Sequence, residues 1–408
     1  MLPSSLDQNT HRVIIKPEVL KKILNRAVDS GQFKSLAASV ASSDQILFEH
    51  ACGTRDLEGT QPMLMDSIIS IASMTKLVTT IAALQLQEKG LIGLDITADK
   101  YISDLTNPKI LSGFQLNGSP KFRNATRAPT IRELMTHTSG YVYPWWNKDA
   151  KAASSIGLYG SLDSENTLLN TPLAFEPGTK WEYGIGIDIL GKIIERITKK
   201  DLMSYFKKNI FEPLNMLDTS YALNSNALNR STTIMTRKNN ELVADSAYQP
   251  TLCEKPDIES FRGGGGLYST VQDYGCLLRA LLNKGRLNGI NILSSKTIEM
   301  MFQNQIADLK INDMRTQEPL LTNNLDLSFD AKAQWGLGLL LHDQGTQIGR
   351  SPGSGSWAGF FNSYFWVDLE KDICGIFATQ ILPFLDQPSM KVFVEFEKEV
   401  YSSMEVNR

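Results

Sequence analysis

The chain has 408 residues, 42% of them hydrophobic and 21% charged, with a formal net charge of −3 at pH 7. That length and apolar content suffice for a large buried core and suggest two domains, while the near-neutral balance argues against a nucleic-acid partner. No apolar run approaches the roughly 20 residues that cross a bilayer, and Cys52, Cys253, Cys276 and Cys374 form no Cys-x-x-Cys pair, which fits reduced core thiols.

Residues 1–8 lack the basic start and apolar core of a secretory signal, so a cytoplasmic location is expected. Residues 17–30 read as an amphipathic helix ended by Gly31. Two strands follow, at 36–41 and 45–50, joined by the polar turn Ser42-Ser43-Asp44. Next comes Ile71-Ala-Ser-Met-Thr-Lys76, opening an apolar run of helical spacing that closes at Lys89-Gly90. Residues three apart share a helix face, so the Lys76 amine can reach the Ser73 hydroxyl and its proton. A helix beginning near Ser73 also aims unpaired backbone N–H groups at that hydroxyl, favouring negative charge there.

From about residue 93 to 255 the pattern is helices between long polar loops. Here the Ser-x-x-Lys spacing recurs at Ser204-Tyr-Phe-Lys207, which reads as a solvated position on a helix whose Leu202, Tyr205, Phe206 and Ile210 turn inward. Strands return at 334–342, 362–368 and 373–379, and a closing helix spans about 387–403. Strand-bearing ends around a helical middle predict an α+β fold, an α/β sandwich in which helices flank an antiparallel sheet. The expected domains are 1–92 with 256–408 for the sheet and 93–255 for an inserted helical unit, with a pocket between them.

Six blocks lie along the chain in a telling order. Ser73-x-x-Lys76 is followed by Ile131-Arg-Glu-Leu-Met-Thr-His-Thr-Ser-Gly140 and Phe175-Glu-Pro-Gly-Thr-Lys-Trp-Glu-Tyr183. Then come Phe211-Glu-Pro-Leu-Asn-Met-Leu-Asp-Thr219, Gly263-Gly-Gly-Gly-Leu-Tyr-Ser-Thr270 and Trp357-Ala-Gly359. Together they resemble the serine β-lactamase-like superfamily: class C β-lactamases, penicillin-binding proteins, D-alanyl-D-alanine carboxypeptidases and, nearest in motif, family VIII carboxylesterases. The resemblance implies Ser73 as nucleophile, Lys76 and Tyr183 as its proton handlers, and the backbone N–H groups of Ser73 and Phe360 as an oxyanion hole. Read without it, Tyr183 is a tyrosine packed at the turn after Pro177-Gly178.

Two departures from the lactamases and peptidases bear on substrate. Tyr183-Gly-Ile185 lacks the asparagine or serine that those enzymes keep two residues after the tyrosine to hold the substrate amide. Where they carry Lys-Thr-Gly or His-Thr-Gly, this chain carries Trp357-Ala358-Gly359. A tryptophan offers apolar surface and one N–H donor in place of a cation. A carboxylate-bearing substrate thereby loses a charge-assisted partner worth about 1.5–3 kcal/mol, and an uncharged ester loses nothing. The other reading of Trp357 is a buried strand residue. The cluster Tyr141, Tyr143, Trp145 and Trp146 fits either the wall of an acyl or alcohol pocket or packing within a loop.

Three features invite misreading. Gly349-Arg-Ser-Pro-Gly353 matches a nucleophile elbow, but Pro352 lacks the N–H that must serve the oxyanion, and no histidine lies downstream of Ser351. His137 precedes the tyrosine block and anchors a loop in the family pattern. Gly263 to Gly266 lacks the Gly-Lys-Ser/Thr of a phosphate loop and reads as a tight turn. The four histidines show no metal-ligand spacing, so no metal or other cofactor is expected. The expected activity is a serine hydrolase working through an acyl-enzyme, a carboxylesterase on small apolar esters with acyl transfer as a variant. The alternative is a β-lactamase or D-alanyl-D-alanine carboxypeptidase. Trp357, Ala358, Gly359, Tyr141 and Trp145 are the expected substrate contacts, and the sequence carries no sign of oligomeric state.

Overall fold

A computed structural model describes residues 12–160, 162, 164–253, 261–326 and 333–407. The signal-peptide reading at residues 1–8 and the domain boundary at 255/256 lie outside them. Seven strands form one sheet: β1 (Ser35–Ala41), β2 (Ile46–Gly53), β3 (Ala333–Trp335), β4 (Leu340–His342), β5 (Ser354–Gly359), β6 (Ser363–Asp368) and β7 (Ile373–Ala378). Their spatial order is β3-β4-β5-β6-β7-β1-β2, antiparallel throughout. The segments at the two ends of the chain meet where β7 pairs with β1, Cys374 opposite Ala41 and Ala378 opposite Ala37.

Strand alternation sorts side chains onto two faces. Ala38, Val40, Trp366 and Phe377 pack with Leu20, Ile23 and Leu24 of α1 (Pro17–Asp29) and with Phe393 and Phe396 of the closing helix, Gln387–Ser402. Ala37, Ala41, Phe365, Val367 and Ile376 join the other core, with Leu77, Val78 and Ile81 of α2 (Thr75–Glu88). With both faces covered, every residue of β5, β6 and β7 is buried. This is the α+β architecture expected from the strand and helix pattern.

The second core continues into the helical middle. There α3 (Ile131–Met135) starts at a capping box, Thr130 bonding the Glu133 N–H and Glu133 returning a bond to the Thr130 N–H. Next along the chain, α4 (Gly186–Thr198) buries Ile189, Leu190, Ile193 and Ile194 in the same core as α2. After it, α5 (Val271–Leu282) packs beside the sheet, and the closing helix is α6.

Local expectations fail in two places. The strand expected over 334–342 is a hairpin, β3 and β4, turned at Gly338 with φ +77°, where a Cβ would stand 2.7 Å from Thr80 Oγ1. The middle also holds two hairpins not expected there, Lys109–Phe114 with Pro120–Asn124 and Met235–Lys238 with Glu241–Ala244. The second turns on Asn239 and Asn240, both at positive φ, a residue pair suited to a two-residue turn. One strand of each, Pro120–Asn124 and Glu241–Ala244, is largely exposed and lacks the apolar alternation by which a strand is recognised.

The four cysteines are free, and Cys374 alone among them is fully buried. Among the described residues no helix is long and apolar enough to cross a membrane.

One buried carboxylate makes stability pH-dependent. Asp273, in the first turn of α5, accepts from the Asp218 N–H at 2.8 Å and the Thr219 hydroxyl at 2.9 Å, and burial pushes its carboxyl up to about 6. A carboxyl raised by folding stabilises at low pH, and that contribution is lost as pH rises through the folded value. Asp273→Asn stays neutral, so its Tm relative to the parent chain should climb between pH of about 4 and about 7. A difference that stays flat across a pH series of thermal melts would refute the assignment.

Candidate active site

Ser73 sits in a single 3₁₀ turn, Ala72–Met74, that runs straight into α2. The turn is entered through Ala72 at φ +43°, a conformation that costs a non-glycine residue energy and recurs at functional sites. The side chain of Ser73 is half-buried, whereas Lys76, one helical turn on, is 2% exposed. The Lys76 Nζ donates to Ser73 Oγ at 3.2 Å, to the Tyr143 hydroxyl at 3.0 Å and to the Gly264 carbonyl at 2.7 Å. Three acceptors match the three N–H donors of an ammonium.

The Gly264 carbonyl reaches Lys76 because the glycine run is a close approach as well as a turn. A Cβ on Gly263 would lie 2.2 Å from the Ile187 carbonyl oxygen, and one on Gly264 2.2 Å from Asp188 Oδ2. Asp188, on α4 and 1% exposed, accepts the Gly264 N–H at 3.0 Å and faces the Tyr143 hydroxyl at 3.5 Å.

Two tyrosines therefore flank the amine, in different ways. Tyr143 gives its hydroxyl to Lys76. Burial, reinforced by the nearby Asp188 carboxylate, holds the Tyr143 phenol well above its ordinary range and so protonated. Tyr183 gives only its ring face, with Lys76 Nζ 5.0 Å from the centroid, whereas Tyr143 adds a ring contact at 5.2 Å to its hydroxyl bond. The Tyr183 oxygen accepts from the Trp357 Nε1–H at 3.1 Å. The lysine thus sits beside Tyr183 as expected, yet its hydroxyl partner is Tyr143.

His137 supports this arrangement from behind. Its backbone is left-handed at φ +58°, its Nδ1 accepts the Gly184 N–H at 3.2 Å, and its ring centroid lies 4.5 Å from that of Tyr183. Burial, helped by the Lys76 charge, holds the imidazole well below its usual pKa, so it stays neutral. It anchors the turn that presents Tyr183.

The third block closes the site. Trp357, Ala358 and Gly359 end β5, and a Cβ on Gly359 would lie 2.6 Å from the Ile71 carbonyl oxygen. Only glycine lets the strand end press against the nucleophile's turn, which brings Phe360 alongside it. Trp145 stacks between Tyr143 at 4.8 Å and Phe360 at 5.0 Å, half-buried. Tyr141 is 1% exposed and belongs to the core, whereas Tyr143 and Trp146 make ring contacts with Tyr183.

The misreadings resolve as well. Ser351 is 3% exposed with its N–H on Asp368 Oδ2 at 2.8 Å, and Ser204 is an exposed helix-start residue bonded to Asp201. Sequence reasoning left Asp188 and the Gly264 carbonyl unassigned and left Tyr143 open between pocket wall and loop packing. The signals were the uninterrupted glycine run and a carboxylate on the inward face of a helix.

A half-buried serine bonded to a buried lysine, with a tyrosine held beside them, defines an enzyme of the serine hydrolase type. The chain belongs to the β-lactamase family, whose model matches residues 20–392. It is 30% identical over 353 residues to the ML-236A carboxylate methylbutanoyltransferase of Penicillium citrinum, covering 84% of this chain and 82% of that protein. It is 29% identical over 378 residues to the lovastatin esterase of Penicillium rubens, covering 88% and 91%. Among solved structures it is similar to simvastatin synthase from Aspergillus terreus in its LovD6 mutant form. That match has a TM-score of 0.79 and 27% identity and covers 94% and 96% of the two chains.

Proposed function

We propose that this enzyme is a carboxylesterase that also transfers its acyl group to alcohols, working on small, uncharged, largely apolar esters in the cleft between the sheet unit and the helical insertion. Ser73 Oγ attacks the ester carbonyl while its proton passes to the Tyr183 oxygen, which acts in its phenolate form with the Lys76 ammonium as counter-charge, and Lys76 also holds the Ser73 hydroxyl. The backbone N–H groups of Ser73 and Phe360 hold the oxyanion. Collapse breaks the acyl–oxygen bond, and the departing alkoxide takes the proton from Tyr183. Water or a second alcohol then attacks the acyl-serine, and its proton returns to Ser73 by the same route.

The observation that carries this reading is Trp357. It stands where lactam- and peptide-cleaving relatives place a cation, and its single N–H is already spent on Tyr183. Acyl transfer draws its support from the methylbutanoyltransferase and the esterase among the relatives. Steady-state kinetics should show kcat/KM for p-nitrophenyl butyrate exceeding that for a chromogenic cephalosporin by about 10² or more. Added butanol should divert product from acid to butyl ester. Efficient lactam turnover with negligible ester cleavage would reverse the assignment to a β-lactamase.

A further inference from the structure

On the α6 side of the sheet lies a cavity of about 390 Å³, whose lining includes Trp357 and Ala358 of the third block but not Ser73, Lys76 or Tyr183. Its walls are apolar, with Ala358 and Tyr364 from the sheet, Phe384 from the following loop, and Met390 and Phe393 from α6. One end is polar. There Arg350 Nη2 bonds Glu397 Oε2 at 2.9 Å, Arg350 Nη1 meets His342 Nε2 at 2.7 Å, and Ser356 Oγ lies 2.9 Å from the same nitrogen. The Arg350 and Glu397 side chains are 6% and 0% exposed.

We propose that this cavity is a binding site for a neutral, medium-chain amphiphile, a fatty alcohol or its ester, with its polar end at Ser356. The volume falls in the range of small-molecule pockets, about 300–1,000 Å³, and apolar walls with a few convergent polar groups are their usual lining. A packing fault between helix and sheet would be apolar throughout and dry. A buried ion pair placed at one end adds little stability over apolar side chains of the same volume. The charge balance selects the ligand: the guanidinium is already neutralised by Glu397, so an ionised carboxylate finds no free cation. Arginine can only donate, so Arg350 gives its Nη1–H to His342 Nε2. The Ser356 hydroxyl, on β5 at the cavity wall, lies 2.9 Å from that nitrogen and keeps oxygen lone pairs that accept from a ligand hydroxyl.

This inference goes beyond the proposed esterase and needs no reaction at Ser73. Crystals of the full chain soaked with ω-bromodecanol should show anomalous bromine density between α6 and β5. Calorimetric titration with decanol should give one site, weakened about tenfold or more in Met390→Trp, which fills the cavity, and in Ser356→Ala. Decanoate at mildly alkaline pH should bind about tenfold more weakly than decanol, because its charge is buried without a free partner. Hydrolysis of p-nitrophenyl butyrate and the thermal midpoint of Ser356→Ala report whether the fold is intact. Bromine confined to the Ser73 cleft, no bromine at all, or decanoate binding as tightly as decanol would each overturn the proposal. Loss of esterase activity alone would bear on the catalytic reading and not on this one.

Discussion

Ser73→Ala is expected to lower kcat/KM for p-nitrophenyl butyrate by about 10⁴-fold or more and to abolish covalent labelling by a fluorophosphonate. The hydroxyl is the one group on this side of α2 that is both reachable from solvent and bonded to a buried amine. Lys76→Met keeps the apolar stem and removes the charge, leaving the Gly264 carbonyl and the Tyr143 hydroxyl without their donor. Its activity should fall by a similar factor. Because the two residues act as a unit, the double variant should be scarcely worse than either single one. Multiplicative losses, or labelling that survives Ser73→Ala, would mean that the nucleophile lies elsewhere.

The second large effect separates the two tyrosines. Tyr183→Phe keeps the ring under Lys76 but removes the oxygen that takes the Ser73 proton, and it should cost about 10²–10⁴ in kcat, the range of general base catalysis. Tyr143→Phe removes one acceptor from a buried ammonium, a change of about 1–3 kcal/mol that lowers Tm as well as activity. The contrast is the test. A catalytic Tyr183 predicts that its phenylalanine variant keeps its Tm and loses kcat, while the Tyr143 variant loses some of each. If Tyr143→Phe is the more damaging in kcat, with Tyr183→Phe nearly silent, the roles are exchanged and Tyr143 must be the base despite its buried, protonated phenol.

How much was legible depended on how local each relation is. Ser73 and Lys76 are one helical turn apart, so their contact follows from helix geometry. The strands at both ends showed as short apolar runs because both faces of the sheet are covered, by α1 and α6 on one side and by α2 on the other. The expected single strand over 334–342 failed because Gly338 turns it against Thr80, a contact made by a helix some 250 residues earlier in the chain. The Met235–Ala244 hairpin hid behind its exposed second strand, though the Asn239-Asn240 pair was a usable turn signal. Tyr141, Tyr143 and Trp145 were indistinguishable as a cluster. Burial then sent Tyr141 to the core, a hydrogen bond tied Tyr143 to the amine, and stacking held Trp145 against Phe360.

The sequence by itself determined the pairing of Ser73 with Lys76, the order of the blocks that reveals the family, and the uncharged third block, because each is written in residue type and short spacing. Only the tertiary structure decided which tyrosine gives its hydroxyl to Lys76 and which gives only its ring, that Trp357 spends its N–H on Tyr183, and that a glycine carbonyl completes the ammonium's shell. Those outcomes depend on approaches between segments far apart in the chain, close enough that a Cβ on Gly263, Gly264 or Gly359 would stand 2.2–2.6 Å from its neighbour. Such approaches are set by how α2, α4 and β5 pack, and no local pattern encodes them.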